Sequence, residues 1–409
     1  MISSRAVLSG FVLFVATLFA SFLALPRASA ADPALNASAY DAFYNLDFDQ
    51  ALAAYDKAVK DHPEDPELHN HVAHTLLYRE LFRNGALESE MVTGNNSFLR
   101  RPKMEPPADV ERRFFAEIDS SMRLCEVILA RNPKDSRNMH TLAVAYALRA
   151  NYGFLVRKTW IASLGDSSKA RKYDSDVTAI DPKNYDALFL QGVYDYIVGS
   201  LPFSWRMLGH ISGFHGDRER GLRTMELVTR MGSDNKVDAA MTLCGLYRRE
   251  GNYQRAIPMV QVFVEQFPRN YLLRFELAQM YAAGGRRQEA LDTLAGVERR
   301  KVENAPGYGR IPWEKIHYET GNLQFWFNDL DHALEHLKQV TATPQQLAEI
   351  DLNTGVLALM RQGQIYDLKG RHDLASIEYK RAIQFAPEAE AAKESQKYLV
   401  SPYHRVAKS

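Results

Sequence analysis

A short pattern of residues recurs at both ends of this 409-residue chain and restricts what it can fold into. Near the N-terminus it is Ala51, Tyr55, Ala58 and Pro63; near the C-terminus it is Ala375, Tyr379, Ala382 and Pro387. Gly370, Tyr366 and Gly363 precede the second copy at five, nine and twelve places. This spacing is that of a helix–turn–helix unit about 34 residues long. Two antiparallel helices approach closely only where a side chain is small, hence the anchoring Ala. A glycine before the second helix supplies the left-handed turn that closes the first. The proline ends the unit.

Further anchors are Ala256, Ala290 and Ala333, with degenerate ones at Ser121, Ala170 and Gly221. Successive spacings are 70, 49, 51, 35, 34, 43 and 42 residues. Values near 34 are bare repeats and larger ones imply insertions. Each unit buries its face only against its neighbours, so stability accumulates along a stack.

On these residues the chain resembles tetratricopeptide-repeat (TPR) proteins over roughly residues 40–390. The segment Gly213-Phe214-His215-Gly216-Asp217-Arg218-Glu219-Arg220-Gly221-Leu222 is similar to a glycine–aspartate–arginine stretch in a eukaryotic TPR family of outer-membrane, inclusion-body-clearance and lipid-handling proteins. The resemblance implies an all-α, right-handed solenoid of about seven or eight helical hairpins. Two central units carry insertions between their helices. The expected organisation is a signal peptide over 1–30, degenerate units over 31–233, a regular array over 234–390, and a capping helix and tail over 391–409.

Arg5, an apolar run from Val7 to Leu25 and small residues at Ala28 and Ala30 suit cleavage after Ala30. A retained membrane anchor is the alternative. Residues 1–30 hold two basic and no acidic residues, so the remainder carries 48 basic against 50 acidic, a net charge of −2. That balance gives no general attraction to nucleic acid. Cys125 and Cys244 fall at buried positions of different repeats and read as two buried thiols, a disulfide between them being the alternative.

The concave face is the expected recognition surface. Eleven residues before three regular anchors stand Gln279, Asn322 and Gln364. In TPR proteins this register lines the groove, and a carboxamide both donates to and accepts from a peptide backbone. Phe275, Tyr318, Phe325 and Met360 on the same first helices would form apolar sub-pockets. The implied function is an exported, non-enzymatic scaffold or adaptor for a protein or peptide in a bacterial periplasm or cell envelope. No cofactor is implied, and the sequence contains no P-loop, GxSxG or dinucleotide fingerprint.

The alternative uses the insertion between Gly199 and Gly216. Its Leu201, Phe203, Trp205, Leu208 and Phe214 could meet lipid or an apolar ligand. Tyr152 to Leu164 forms a second insertion, with Phe154, Leu155, Trp160 and Ile161. His69, His71 and His74 share one helix and offer a metal-site alternative that needs a further ligand. Gly85 to Pro107 reads as a long structural strap or a functional loop.

Overall fold

The structure, a computed structural model, describes residues 33–87, 103–201, 215–341, 343 and 352–405. Among them are 17 α-helices and no strand. They fall into two compact units, split between residues 259 and 260.

Unit 1 contains α1 (Pro33–Tyr44), α2 (Phe48–Asp61), α3 (Pro66–Arg83), α4 (Ala108–Arg131), α5 (Ser136–Tyr152), α6 (Trp160–Ile180), α7 (Phe189–Gly199), α8 (Arg218–Met231) and α9 (Lys236–Arg249). Helix α10 (Tyr253–Gln266) follows. Unit 2 contains α11 (Tyr271–Ala283), α12 (Arg287–Val302), α13 (Trp313–Trp326), α14 (Leu330–Thr341), α15 (Leu352–Leu368), α16 (His372–Phe385) and α17 (Glu390–Val400).

Every anchor predicted from the sequence lies on the second helix of a hairpin. Ala51, Ser121, Ala170, Ala256, Ala290, Ala333 and Ala375 are buried, as is Gly221. The reason is visible at Gly363 and Gly221. A β-carbon on Gly363 would come within 2.8 Å of three ring atoms of Tyr379. One on Gly221 would meet the α7 backbone at Tyr196 and Gly192. The crossing is thus a contact of ring or backbone against bare backbone.

The turns five residues before the anchors are left-handed in the regular repeats: Gly251, Gly285 and Gly370 have φ of 69°, 77° and 73°. Leu46 and Asn328 hold the same place with φ of 65° and 64°. Here hairpin closure overrides the steric preference against left-handed side chains. Gly165 departs from the pattern. It lies inside α6 and closes no turn. Its hairpin turns earlier, where α5 runs into a π-helical turn, Gly153–Arg157, and ends at Lys158 with φ 57°. Part of the Tyr152–Leu164 insertion therefore extends the inner helix, and Phe154, Leu155 and Val156 are buried there.

The Gly213–Leu222 segment is explained from Gly216 onward. Asp217 caps α8 by accepting from Arg220 N–H at 2.9 Å. Gly216 lets the strap lie against Val198 and Gly199. Arg220 donates two bonds of 2.7 Å to the buried carboxylate of Asp195 on α7. One short motif thereby caps a helix, permits a close crossing and neutralises a buried charge.

Unit 1 departs from an open trough. Its inner helices α3, α5, α7 and α9 are buried on nearly all sides. Asn70 on α3 donates to the Thr141 carbonyl on α5 at 2.9 Å. Tyr44 at the end of α1 donates to Asp238 on α9 at 2.6 Å. On α3, His69 is satisfied by Glu117 and Asn70 by the Thr141 carbonyl, and α7 is apolar over most of its faces, so both can be buried against their neighbours.

Cys125 and Cys244 are buried thiols not joined in a disulfide, and burial pushes the Cys125 thiol up to about 12. No described helix is long and apolar enough to cross a membrane.

Candidate functional site

In unit 2 the inner helices are α11, α13 and α15. The three predicted carboxamides do recur on them at one register. Each is already bonded to a neighbouring helix or to a shared arginine. Gln279 on α11 donates to Glu319 on α13 at 3.0 Å. Asn322 on α13 accepts from Arg361 Nε on α15 at 3.0 Å. Gln364 accepts from the same guanidinium at 2.6 Å. Lys315 on α13 reaches Thr354 on α15 at 3.0 Å. The carboxamides therefore form a polar ladder between successive inner helices and hold Arg361 in place.

The four predicted sub-pocket residues need correction. Phe275, Tyr318, Phe325 and Met360 are all buried, with Phe325 fully so. They fill the seams between helices because aromatic and Met side chains are the bulk available to close those seams. None lines an open pocket, and the Phe325 ring is covered in part by Tyr403 and Arg405.

Two residues that periodicity did not single out are better exposed. Trp326 is 53% exposed. The Arg361 guanidinium lies 4.6 Å from its ring centroid and 4.6 Å from that of Phe325. Arg361 precedes Gln364 by one helical turn, which was the available signal. An exposed indole beside an arginine oriented by two amides is a rigid, amphipathic contact point.

Across the same face lies a second segment of the chain. Residues 401–405 follow α17 without regular structure. Tyr403 N–H donates to Asp367 Oδ2 at 2.7 Å. Asp367 also accepts from Tyr379 O–H at 2.7 Å and pairs with the His372 ring at 2.6 Å.

Unit 1 holds a polar cavity of about 470 Å³, lined by residues that include Glu67, Arg137, His140, Asp186, Ser233 and Asp234. The first ends of α3, α5 and α9 meet there with the loop before α7. Burial raises the Glu67 carboxyl to about 7 although Arg137 lies 2.5 Å away. For His140, burial works against charge, but Asp174 at 2.7 Å outweighs it and holds the imidazole near 9. Backbone N–H groups around the cavity already bond to carboxylates. Asp65 caps α3, Asp135 caps α5, and Asp186 accepts from Ser233 and Asn235. An anion entering this cavity would meet the carboxylates of Asp181, Asp186 and Asp234 in its lining.

The three histidines do not converge. His69 bonds Glu117 at 2.6 Å. His71 stacks on Tyr55 with centroids 4.8 Å apart. His74 sits between Phe43 and Tyr78, where burial holds it well below the ordinary imidazole range. No group of three or more potential metal-binding side chains occurs among the described residues. Of the apolar insertion, Leu201 is buried, while Phe203, Trp205, Leu208 and Phe214 lie outside the described residues, as do the side chains of Trp160 and Ile161. The signal segment 1–30 and most of the 85–107 loop also lie outside them.

A tetratricopeptide-repeat family model matches residues 36–77 and 246–307, so the chain carries these repeats. The chain is similar to the inclusion body clearance protein iml2 of Aspergillus terreus, with 28% identity over 137 residues, which is 29% of this chain and 20% of that protein. The match thus spans about a fifth of the relative's length. Among solved structures the chain is similar to the APC/C hetero-tetramer Cut9–Hcn1, with 16% identity, TM-score 0.40, and coverage of 91% of this chain and 64% of that one. It is also similar to the human IFIT1 dimer with PPP-AAAA, with 14% identity, TM-score 0.43, and coverage of 98% and 85%.

Proposed function

We propose that this chain, a carrier of tetratricopeptide repeats, is a non-enzymatic, exported adaptor that captures a protein or peptide on the inner face of unit 2. The observation that carries the reading is the exposed Trp326 with Arg361 beside it, held by Asn322 and Gln364. Tryptophan and arginine are the residues most often found at the energetic centres of interfaces. Here the arginine is pre-oriented, so less side-chain entropy is lost when a partner docks. The signal-like residues 1–30 support export to a periplasm or cell envelope.

The test is affinity capture from the native envelope with the full chain as bait. Trp326→Ala and Arg361→Ala are each expected to reduce capture by roughly 30-fold, the effect of a hot-spot residue worth about 2 kcal/mol. Helicity should be unchanged in both variants. Undiminished capture by the double variant overturns the reading. Recovery of mature protein beginning at Ala31 checks export.

A further inference from the structure

We propose that the inner face between α13 and α15 binds an extended segment bearing an aromatic residue and, two places later, an arginine, and that the chain's own Tyr403-His404-Arg405 occupies this site. The inference rests on the adaptor reading above and specifies its ligand.

The segment is held as a bound peptide would be. Its backbone contributes through the Tyr403 N–H on Asp367. Its side chains alternate: Tyr403 and Arg405 are half-buried and His404 between them is exposed. Such alternation is how an extended chain presents every second residue to one surface. The Tyr403 ring lies 6.2 Å from that of Phe325 and 5.3 Å from that of Tyr398. Arg405 donates to the Phe325 backbone carbonyl. Its guanidinium also lies 4.9 Å from the Phe325 ring centroid.

The receptor groups share one register. Phe325 and Asp367 each stand eight residues before an anchor, Ala333 and Ala375. The segment therefore crosses two successive inner helices at equivalent positions, beside the Arg361 ladder. Phe325 supplies a ring for the aromatic and for the cation, together with a carbonyl near the helix end that accepts from the cation. Asp367 supplies a buried carboxylate that accepts the peptide N–H. This chemistry selects an aromatic–x–arginine segment.

An intramolecular ligand of this kind competes with any partner. With an effective local concentration on the order of 1 mM, it weakens an added peptide of Kd about 10 μM by roughly 100-fold. The test uses a fluorescent peptide of residues 401–409 and the full chain. Wild-type chain should bind it weakly. A full chain with Tyr403→Ala and Arg405→Ala should bind it about 100-fold more tightly by anisotropy. The same two substitutions in the peptide should abolish binding. Equal binding by both chains, or none by a variant of native helicity, overturns the proposal.

A second chain covers the case of misfolding. It keeps the segment but carries a protease site between Val400 and Ser401. After cleavage, excess unlabelled peptide should displace the segment; retention at saturating competitor marks a permanent cap and overturns the proposal. Peptide binding without envelope capture refutes the adaptor reading alone. Capture that depends on Trp326 while the peptide never binds refutes this inference alone.

Discussion

Replacing either member of the Arg220–Asp195 pair should give unequal damage, and the inequality follows from where each group sits. The Asp195 side chain is 1% exposed, whereas that of Arg220 is 53% exposed. Arg220→Met removes both donors and leaves a buried carboxylate without its cation. Breaking a buried pair in this sense costs about 3–5 kcal/mol. Asp195→Asn keeps the shape and one acceptor, and frees a guanidinium that already reaches water. Its cost is about 1–2 kcal/mol, that of one or two weakened hydrogen bonds. The gap is therefore about 2 kcal/mol, or roughly 30-fold in a local opening equilibrium. Hydrogen exchange of the α7 and α8 amides reads it directly, without requiring the chain to unfold in one step. Exchange in Arg220→Met should exceed that in Asp195→Asn by about 30-fold. Equal rates, or the reverse order, would refute the argument that burial of the carboxylate sets the cost. An apolar pair, Arg220→Met with Asp195→Leu, should recover part of the loss.

Gly363→Ala forces a methyl against the Tyr379 ring, which is pinned by its bond to Asp367. It should lower unit 2 stability by about 1–3 kcal/mol, measured as loss of amide protection in α15 and α16. Gly370→Ala meets no neighbour, so its cost is only the left-handed backbone at φ 73°, about 1–2 kcal/mol, visible as a lower melting temperature. His140 is held near 9 against an unfolded value of about 6.5, so its charge stabilises unit 1 fully below pH 6.5 and the benefit is lost as pH rises through 9. Relative to a His140→Gln, Asp174→Asn double variant, wild type should lose about 3 kcal/mol between pH 6 and pH 10 in denaturant titrations; a constant difference would show that the pair does not titrate there.

Much of the fold was legible because each repeat is specified by neighbours in the chain. Ala375, Gly370 and Tyr379 meet within one hairpin, so spacing alone identifies their roles. Gly165 misled because an insertion had moved the turn to Lys158, and a glycine inside a helix carries no mark distinguishing it from one at a turn. Gln279, Asn322 and Gln364 do share one register, but Asn322 and Gln364 are buried rather than open to a groove. Their bonds to Glu319 and Arg361 were not visible, since those partners depend on how one hairpin stacks on the next.

The sequence by itself determined the hairpins, their order and the face each helix turns inward. Local sterics and helical periodicity suffice for that. Only the tertiary structure decided what lies on those faces. It enclosed Phe275, Tyr318, Phe325 and Met360, closed α1 onto α9 through Tyr44 and Asp238, and laid Tyr403 across Asp367. Those outcomes depend on contacts between residues 36 to 194 places apart. Such pairings are set by cumulative packing angles along the stack, which no short pattern in the chain records.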